Sequence, residues 1–130
     1  ASVELVSLPH TAAALGAYYV ISPAEASSNL SRYDGLRFGH YAETGDDGER
    51  HAGPSANKAT IMANRTEGFG EEVLRRIMMG TFVLSSEHAE KYFRKAQRIR
   101  RLVAEDFANV FRSVDVLLCP VAPGVAPTVA

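Results

Sequence analysis

The apolar positions of this chain recur with two periods, and the switch between them divides the sequence into elements. Val3-Glu4-Leu5-Val6-Ser7-Leu8 alternates and stops at Pro9, which predicts a short strand. Ala12 to Arg32 is rich in alanine, with Thr11 placed to cap it. Proline tolerates a helix start better than a helix middle, so the Ser22-Pro23 step predicts one helix to about Ile21 and another from Pro23 to Leu30. Tyr33-Asp34-Gly35 marks a turn. Residues 42–57 are polar and glycine-rich and predict a surface loop, with a short helix over Ser55 to Arg65. In Glu71 to Leu84, Val73, Leu74, Ile77, Met78 and Phe82 fall at helical spacing, and Glu71 and Glu72 suit the dipole of the first turn. In Glu87 to Arg112, Tyr92, Ala96, Ile99, Val103, Phe107 and Val110 step by three and four. That predicts a long amphipathic helix with Ser86 as N-cap. Val114-Asp115-Val116-Leu117-Leu118 reads as a buried strand ended by Pro120, followed by a Pro- and Gly-rich tail.

The order strand, helices, long helix, strand predicts an α/β fold, helix-rich in this segment. Two strands do not make an independent sheet, so the remaining strands are expected outside these 130 residues. The absence of a starting methionine and the opening in a strand also predict an excised piece of a larger domain. The chain is 46% hydrophobic and 22% charged, enough apolar material for a core. A net charge of −1 announces no general nucleic-acid-binding face. No stretch approaches the ~18 consecutive apolar residues of a membrane span, and no secretory signal opens the chain. Without such a signal, Asn29-Leu30-Ser31 and Asn64-Arg65-Thr66 read as chance glycosylation matches. The single cysteine, Cys119, lies in an apolar run and is expected to be a buried small hydrophobe.

Candidate chemistry is sparse. His10, His40, His51 and His88 are widely separated and there is no HExxH or CxxC, so no metal site is expected; His88 is expected to be solvated. Glu67-Gly68-Phe69-Gly70 reads as a tight turn feeding the next helix rather than an anion site. Lys91, Arg94, Lys95, Arg98, Arg100 and Arg101 crowd the long helix. They could meet RNA phosphates in a stand-alone helical interaction module, although a solvated outer face is the commoner arrangement. Neither Ser27-Ser28 nor Ser85-Ser86 lies in a glycine-rich turn or has an adjacent base, so no catalytic nucleophile is expected here. Arg75 and Arg76 follow the glycine turn. Either could clamp a carboxylate through its planar fork, or form a surface ion pair with Glu71 or Glu72.

Four runs carry a resemblance. Residues 17–35 (AYYVISPAEASSNLSRYDG), 67–81 (EGFGEEVLRRIMMGT), 92–100 (YFRKAQRIR) and 115–120 (DVLLCP) are similar, in order, to the A subunits of glutamyl-tRNA(Gln) amidotransferases. The first two are long and specific, whereas the fourth occurs across the wider amidase-signature family. The resemblance implies an internal part, residues 1–130, of one amidase-signature domain, with a mixed central sheet covered by helices. It implies glutamine hydrolysis by a Ser–Ser–Lys triad, with the ammonia converting Glu-tRNA(Gln) to Gln-tRNA(Gln). The triad segment has no counterpart in this chain and is expected upstream of Ala1. Carried over by position, Tyr18 and Arg76 look like the glutamine-binding tyrosine and arginine, with Tyr19 and Arg75 as the neighbouring alternatives. The implied partners are the B and C subunits, glutamine and, through the complex, Glu-tRNA(Gln). This segment would use no cofactor, while ATP and magnesium would be used by the partner subunit. Cys119 and Val121 stand where threonine is usual. The polar loop is longer than in typical bacterial members, which suggests a eukaryotic and hence mitochondrial source, with the bacterial cytoplasm as the alternative. Another amidase-signature hydrolase, acting on a different amide, is the alternative.

Overall fold

The computed structural model describes residues 2–37, 39–42, 54–122, 124–126 and 128. Among them, four α-helices form: α1 (Ala14–Leu30), α2 (Pro54–Gly68), α3 (Glu71–Leu84) and α4 (Lys95–Val110). A 3₁₀ turn at Thr11–Ala13 leads into α1, and a π-helical turn at Glu90–Arg94 leads into α4. No described helix is long and apolar enough to cross a membrane. Most of the polar loop expected over 42–57 lies outside the described residues. The short helix expected over Ser55 to Arg65 forms as α2, which begins one residue earlier at Pro54 and so takes over the end of the expected loop; a proline at the first helical position gives up a donor that would have no helical partner.

The break expected at Pro23 does not occur. One helix runs through it, and Pro23 is buried within α1. A helix-interior proline forfeits a hydrogen bond and crowds the preceding turn, a cost of about 3 kcal/mol in isolation. Tertiary packing offsets that cost. α1 packs most extensively against α3, and at the crossing Gly80 of α3 meets the backbone of α1. A Cβ added at Gly80 would overlap the Pro23 carbonyl and approach the Ser27 Cβ to 2.5 Å. One turn further on, Ser27 Oγ and Thr81 Oγ1 lie 3.2 Å apart, a side-chain hydrogen bond between α1 and α3. The contacts advance together along both helices, which therefore run in the same sense.

The long helix expected from Glu87 does not begin there. Ser86 caps nothing. The Ser85 carbonyl takes the backbone N–H of His88 and of Ala89, and the chain turns before it widens into the π turn. His88, expected to be solvated, is half-buried: its ring lies tilted against Phe82 at 4.1 Å between centroids and stacks on Tyr92 at 5.9 Å. From Lys95 the expected stripe holds. Ala96 is buried with Ala17 and Ile21 of α1, and Val20 and Ile99 pack around them. Small residues dominate this core, so it seats helices closely without burying much area.

The strands expected at Val3–Leu8 and Val114–Leu118 are absent. Both segments lack regular structure, and no strand pairs among the described residues. Leu5, Val116 and Leu118 are almost wholly exposed, and Cys119, expected to be buried, is exposed as well. A strand needs a neighbour for its backbone hydrogen bonds, and this stretch of chain supplies none.

The start of α1 is held to α4 by Asp106, one of two buried polar residues among those described. Its carboxylate accepts the His10 backbone N–H at 2.8 Å and lies 2.9 Å from His10 Nδ1. An ionised carboxylate only accepts, so Nδ1 carries the proton. Burial pushes the Asp106 carboxyl up, but the side-chain and backbone hydrogen bonds from His10 outweigh it and hold the group below its ordinary range.

This packing can be tested at two positions. Gly80→Ala gains up to about 1 kcal/mol of helix propensity, but it drives a methyl into backbone that cannot rotate away, and such overpacking costs about 1–3 kcal/mol. Net destabilisation in urea titration followed by far-UV circular dichroism is the expected result. For Asp106 the folded pKa lies below the unfolded one. Its contribution is therefore complete above the unfolded carboxylate range and is lost as the pH falls through the folded value. The stability gap between wild type and Asp106→Asn should be widest near neutral pH and close on acidification, as read by thermal melts across a pH series.

Candidate functional site

The crossing of α1 over α3 creates a small polar cleft. It has a volume of about 80 Å³ and is lined by Tyr18, Tyr19, Ser22 and Pro23 of α1 and by Glu72, Arg75, Arg76 and Met79 of α3. Every residue that the sequence offers for carboxylate binding, with both neighbouring alternatives, lies on its wall. The reason is helical periodicity at the Gly80 contact. Arg76 precedes Gly80 by one turn, Tyr19 precedes Pro23 by one turn, and Tyr18 stands beside it.

Within the cleft the two arginines differ. Arg76 and Ser22 line the cleft beside the Tyr18 phenol, and the Arg76 guanidinium, then the Ser22 hydroxyl, hold the phenol pKa below its ordinary value. Arg75 is 68% exposed at its side chain, against 39% for Arg76. Tyr18 and Tyr19 meet edge to face at 5.4 Å between ring centroids. The surface ion pair also forms, and Glu72, not Glu71, makes it. Arg75 Nε donates to Glu72 Oε2 at 2.8 Å, and Arg76 Nε donates to Glu72 Oε1 at 3.0 Å. Hydrogen bonds from Arg75 and then Arg76 hold the Glu72 carboxyl low, and those same bonds raise both guanidiniums.

Tyr18 and Ser22 also face a second, larger space. A groove of about 390 Å³ runs between α1 and α4 over Ala14, Ala17, Ile21 and Val103, with Glu25 and Arg100 at its rim 3.8 Å apart. Tyr18 is thus the partition between a charged cleft and an apolar groove.

A further cluster shows in the sequence only as a turn and a chance glycosylation match. Asn64 is 3% exposed; its Oδ1 accepts the Ala42 backbone N–H at 2.8 Å and its Nδ2 donates to the Asp34 carbonyl at 2.9 Å. Gly35 takes φ +76°, and a Cβ there would strike the Asn64 amide, so glycine is required twice over. Arg65 donates to the Leu30 and Tyr33 carbonyls at 2.8 and 2.9 Å, closing the end of α1. This cluster is structural. It orders the exit from α1, and neither half of the Asn64 amide is free for modification.

The basic residues of α4 and the turn before it are largely neutralised. Arg98 pairs with Glu90 at 2.7 Å, Arg94 with the same carboxylate at 3.9 Å, and Arg101 with Glu105 at 2.8 Å. Such pairing fits a solvated outer face better than a phosphate-binding one. Among the described residues, no group of three His, Cys, Asp or Glu side chains is arranged to hold a metal.

Asn64→Leu is expected to leave the Ala42 N–H and the Asp34 carbonyl unpaired in a buried place, at about 1–3 kcal/mol for each unmet group. Hydrogen exchange should show the loss first in the Tyr33–Ala42 turn, with α3 and α4 less affected. Uniform loss across all helices would contradict a local role.

The amidase family profile matches residues 1–130. In the glutamyl-tRNA(Gln) amidotransferase of Granulibacter bethesdensis, the A subunit is 53% identical over 97% of this chain, which covers 23% of that protein. The proteins of the same name from Halothermothrix orenii and Chromohalobacter salexigens are 50% and 55% identical over 97% and 95% of the chain, covering 24% of each. The chain therefore spans about a quarter of the length of these relatives. All three are bacterial, and nothing in them supports the mitochondrial source suggested by loop length. A profile match along the whole sequence, and half of all positions shared with these relatives, place the chain in the amidase family.

Proposed function

We propose that this chain forms one wall of the glutamine pocket in the A subunit of a glutamyl-tRNA(Gln) amidotransferase. The observation that carries the reading is the meeting of Tyr18 and Arg76 in one polar cleft, although 58 positions separate them in sequence. Arg76 offers an end-on guanidinium suited to the α-carboxylate of glutamine. Tyr18 offers a phenol that can donate to the same ligand or pack along its methylene chain. The hydrolytic serine and its partners lie outside these residues, so the chain binds and orients and does not itself attack the amide. Orientation is a large part of such chemistry, since a substrate held near its attack geometry has already lost the freedom that a bimolecular encounter must remove.

The same reading extends to the assembly. The Val3–Leu8 and Val114–Leu118 segments, unpaired here, would join as strands a mixed central sheet completed by the remainder of a single amidase-signature domain. B and C subunits receive the ammonia and present Glu-tRNA(Gln), and its activation with ATP and magnesium belongs to the partner subunit. The site of action is the bacterial cytoplasm, where the tRNA is charged.

The test is a complete amidotransferase carrying this segment. Arg76→Ala should raise the KM for glutamine by about tenfold or more, the loss expected when a charge-assisted hydrogen bond to a ligand is removed. Arg94→Ala, outside the cleft, should leave it unchanged. Equal and small effects of the two substitutions would refute the assignment, as would ammonia release from glutamine by this chain alone.

A further inference from the structure

We propose that Glu72 is a positioning residue for glutamine, tying down Arg75 and the Nε edge of Arg76 so that only the terminal nitrogens of Arg76 face the cleft. The inference rests on the reading of Arg76 as the carboxylate anchor and adds the device that orients it.

The argument begins with helix geometry. Arg75 and Arg76 follow Glu72 at i+3 and i+4, so one carboxylate can reach both. It does so with its two oxygens divided: Oε2 takes Nε of Arg75 at 2.8 Å and its Nη2 at 2.7 Å, while Oε1 takes Nε of Arg76 at 3.0 Å. Nε carries a single hydrogen. Once Glu72 has it, any hydrogen bond that Arg76 makes to a ligand or to Tyr18 in the cleft must come from a terminal nitrogen. The guanidinium is planar and rigid, so fixing its Nε edge fixes the direction of its end. Arg75 is engaged along its whole side edge and remains turned toward solvent.

Charge supports the same division. Two adjacent guanidiniums repel each other, and a carboxylate between them leaves the trio at net +1, matched to one substrate carboxylate. Glu72 would in this way decide which of two neighbouring arginines binds. It would do so without touching the ligand, through the oxygen atoms it shares between them.

The geometry also admits an opposite role, in which Glu72 occupies Arg76 and competes with the substrate. The two roles predict opposite signs. The experiment uses the complete amidotransferase and compares Glu72→Gln, Glu72→Asp, Arg75→Ala and Arg76→Ala for glutaminase kcat and KM, for thermal midpoint, and for amidation driven by ammonium instead of glutamine. If Glu72 positions Arg76, Glu72→Gln raises the glutamine KM about tenfold with kcat within about twofold, the size of one charge-assisted contact. Glu72→Asp, which keeps the charge, recovers most of that loss. Arg75→Ala stays within about threefold of wild type, and ammonium-driven amidation is unchanged throughout.

A lower KM in Glu72→Gln would overturn the proposal in favour of competition. An Asp variant as impaired as the Gln variant would overturn it too, and it decides the matter if Glu72→Gln proves unstable. Should Arg76→Ala raise KM while Glu72→Gln does not, positioning fails and the pocket stands. Should Arg76→Ala leave KM unaltered, the pocket reading itself fails.

Discussion

The crossing at Gly80 is the constraint on which the other features depend. Without a side chain at that position, α3 approaches the backbone of α1 at Pro23. The approach sets the register of the two helices, and register decides what meets one turn away. Toward the N-termini it brings Arg76 to Tyr18, and toward the C-termini it brings Thr81 to Ser27. A wider separation would leave the phenol and the guanidinium reaching across water, where their interaction is weak. The buried proline is part of the same solution. Its ring fills space at the contact, and its carbonyl is the atom that requires glycine opposite.

Around that crossing, polar groups fix the ends of the helices instead of their middles. Asp106 fastens the start of α1 to α4 through His10, and Arg65 closes the end of α1 through two carbonyls. His10, ahead of α1, meets Asp106, and Glu25 within α1 meets Arg100, so α4 is tied both to the approach to α1 and to α1 itself. This division of labour suits a core built from alanines. Small residues permit close approach but contribute little burial, so alignment falls to directional bonds at the ends.

The parts legible in the sequence are those governed by local period. Glu71–Leu84 is bounded correctly because an apolar stripe, an acidic first turn and a preceding glycine agree. The Ala96 and Ile99 stripe is legible for the same reason. Pro23 misleads because its local penalty is real, and the compensation lies far along the chain at Gly80. Ser86 resembles a cap by type alone, while the chain uses the Ser85 carbonyl. Alternation at Val3–Leu8 and Val114–Leu118 reports which face is apolar and says nothing of whether a partner strand is at hand. For the site, residue type and resemblance together narrow the candidates to two tyrosines and two arginines. What sequence cannot supply is the difference between Arg75 and Arg76, which arises from the helix they face.

Ligand clamp or surface ion pair, the choice that Arg75 and Arg76 pose in the sequence, is a false alternative. An arginine has two usable edges, and an ion pair on one of them leaves the other available. Glu72 takes the Nε edge of Arg76, and the arginine still lines the cleft beside Tyr18. The pair is largely exposed, and in isolation such a pair contributes little to stability. Its proposed value is directional. It converts a long flexible side chain into one with a single orientation, reducing the entropy that a ligand would otherwise have to remove on binding. An ion pair of little energetic worth can therefore matter more to recognition than to folding, and on the proposed reading the two arginines differ in role because one carboxylate divides its oxygens between them.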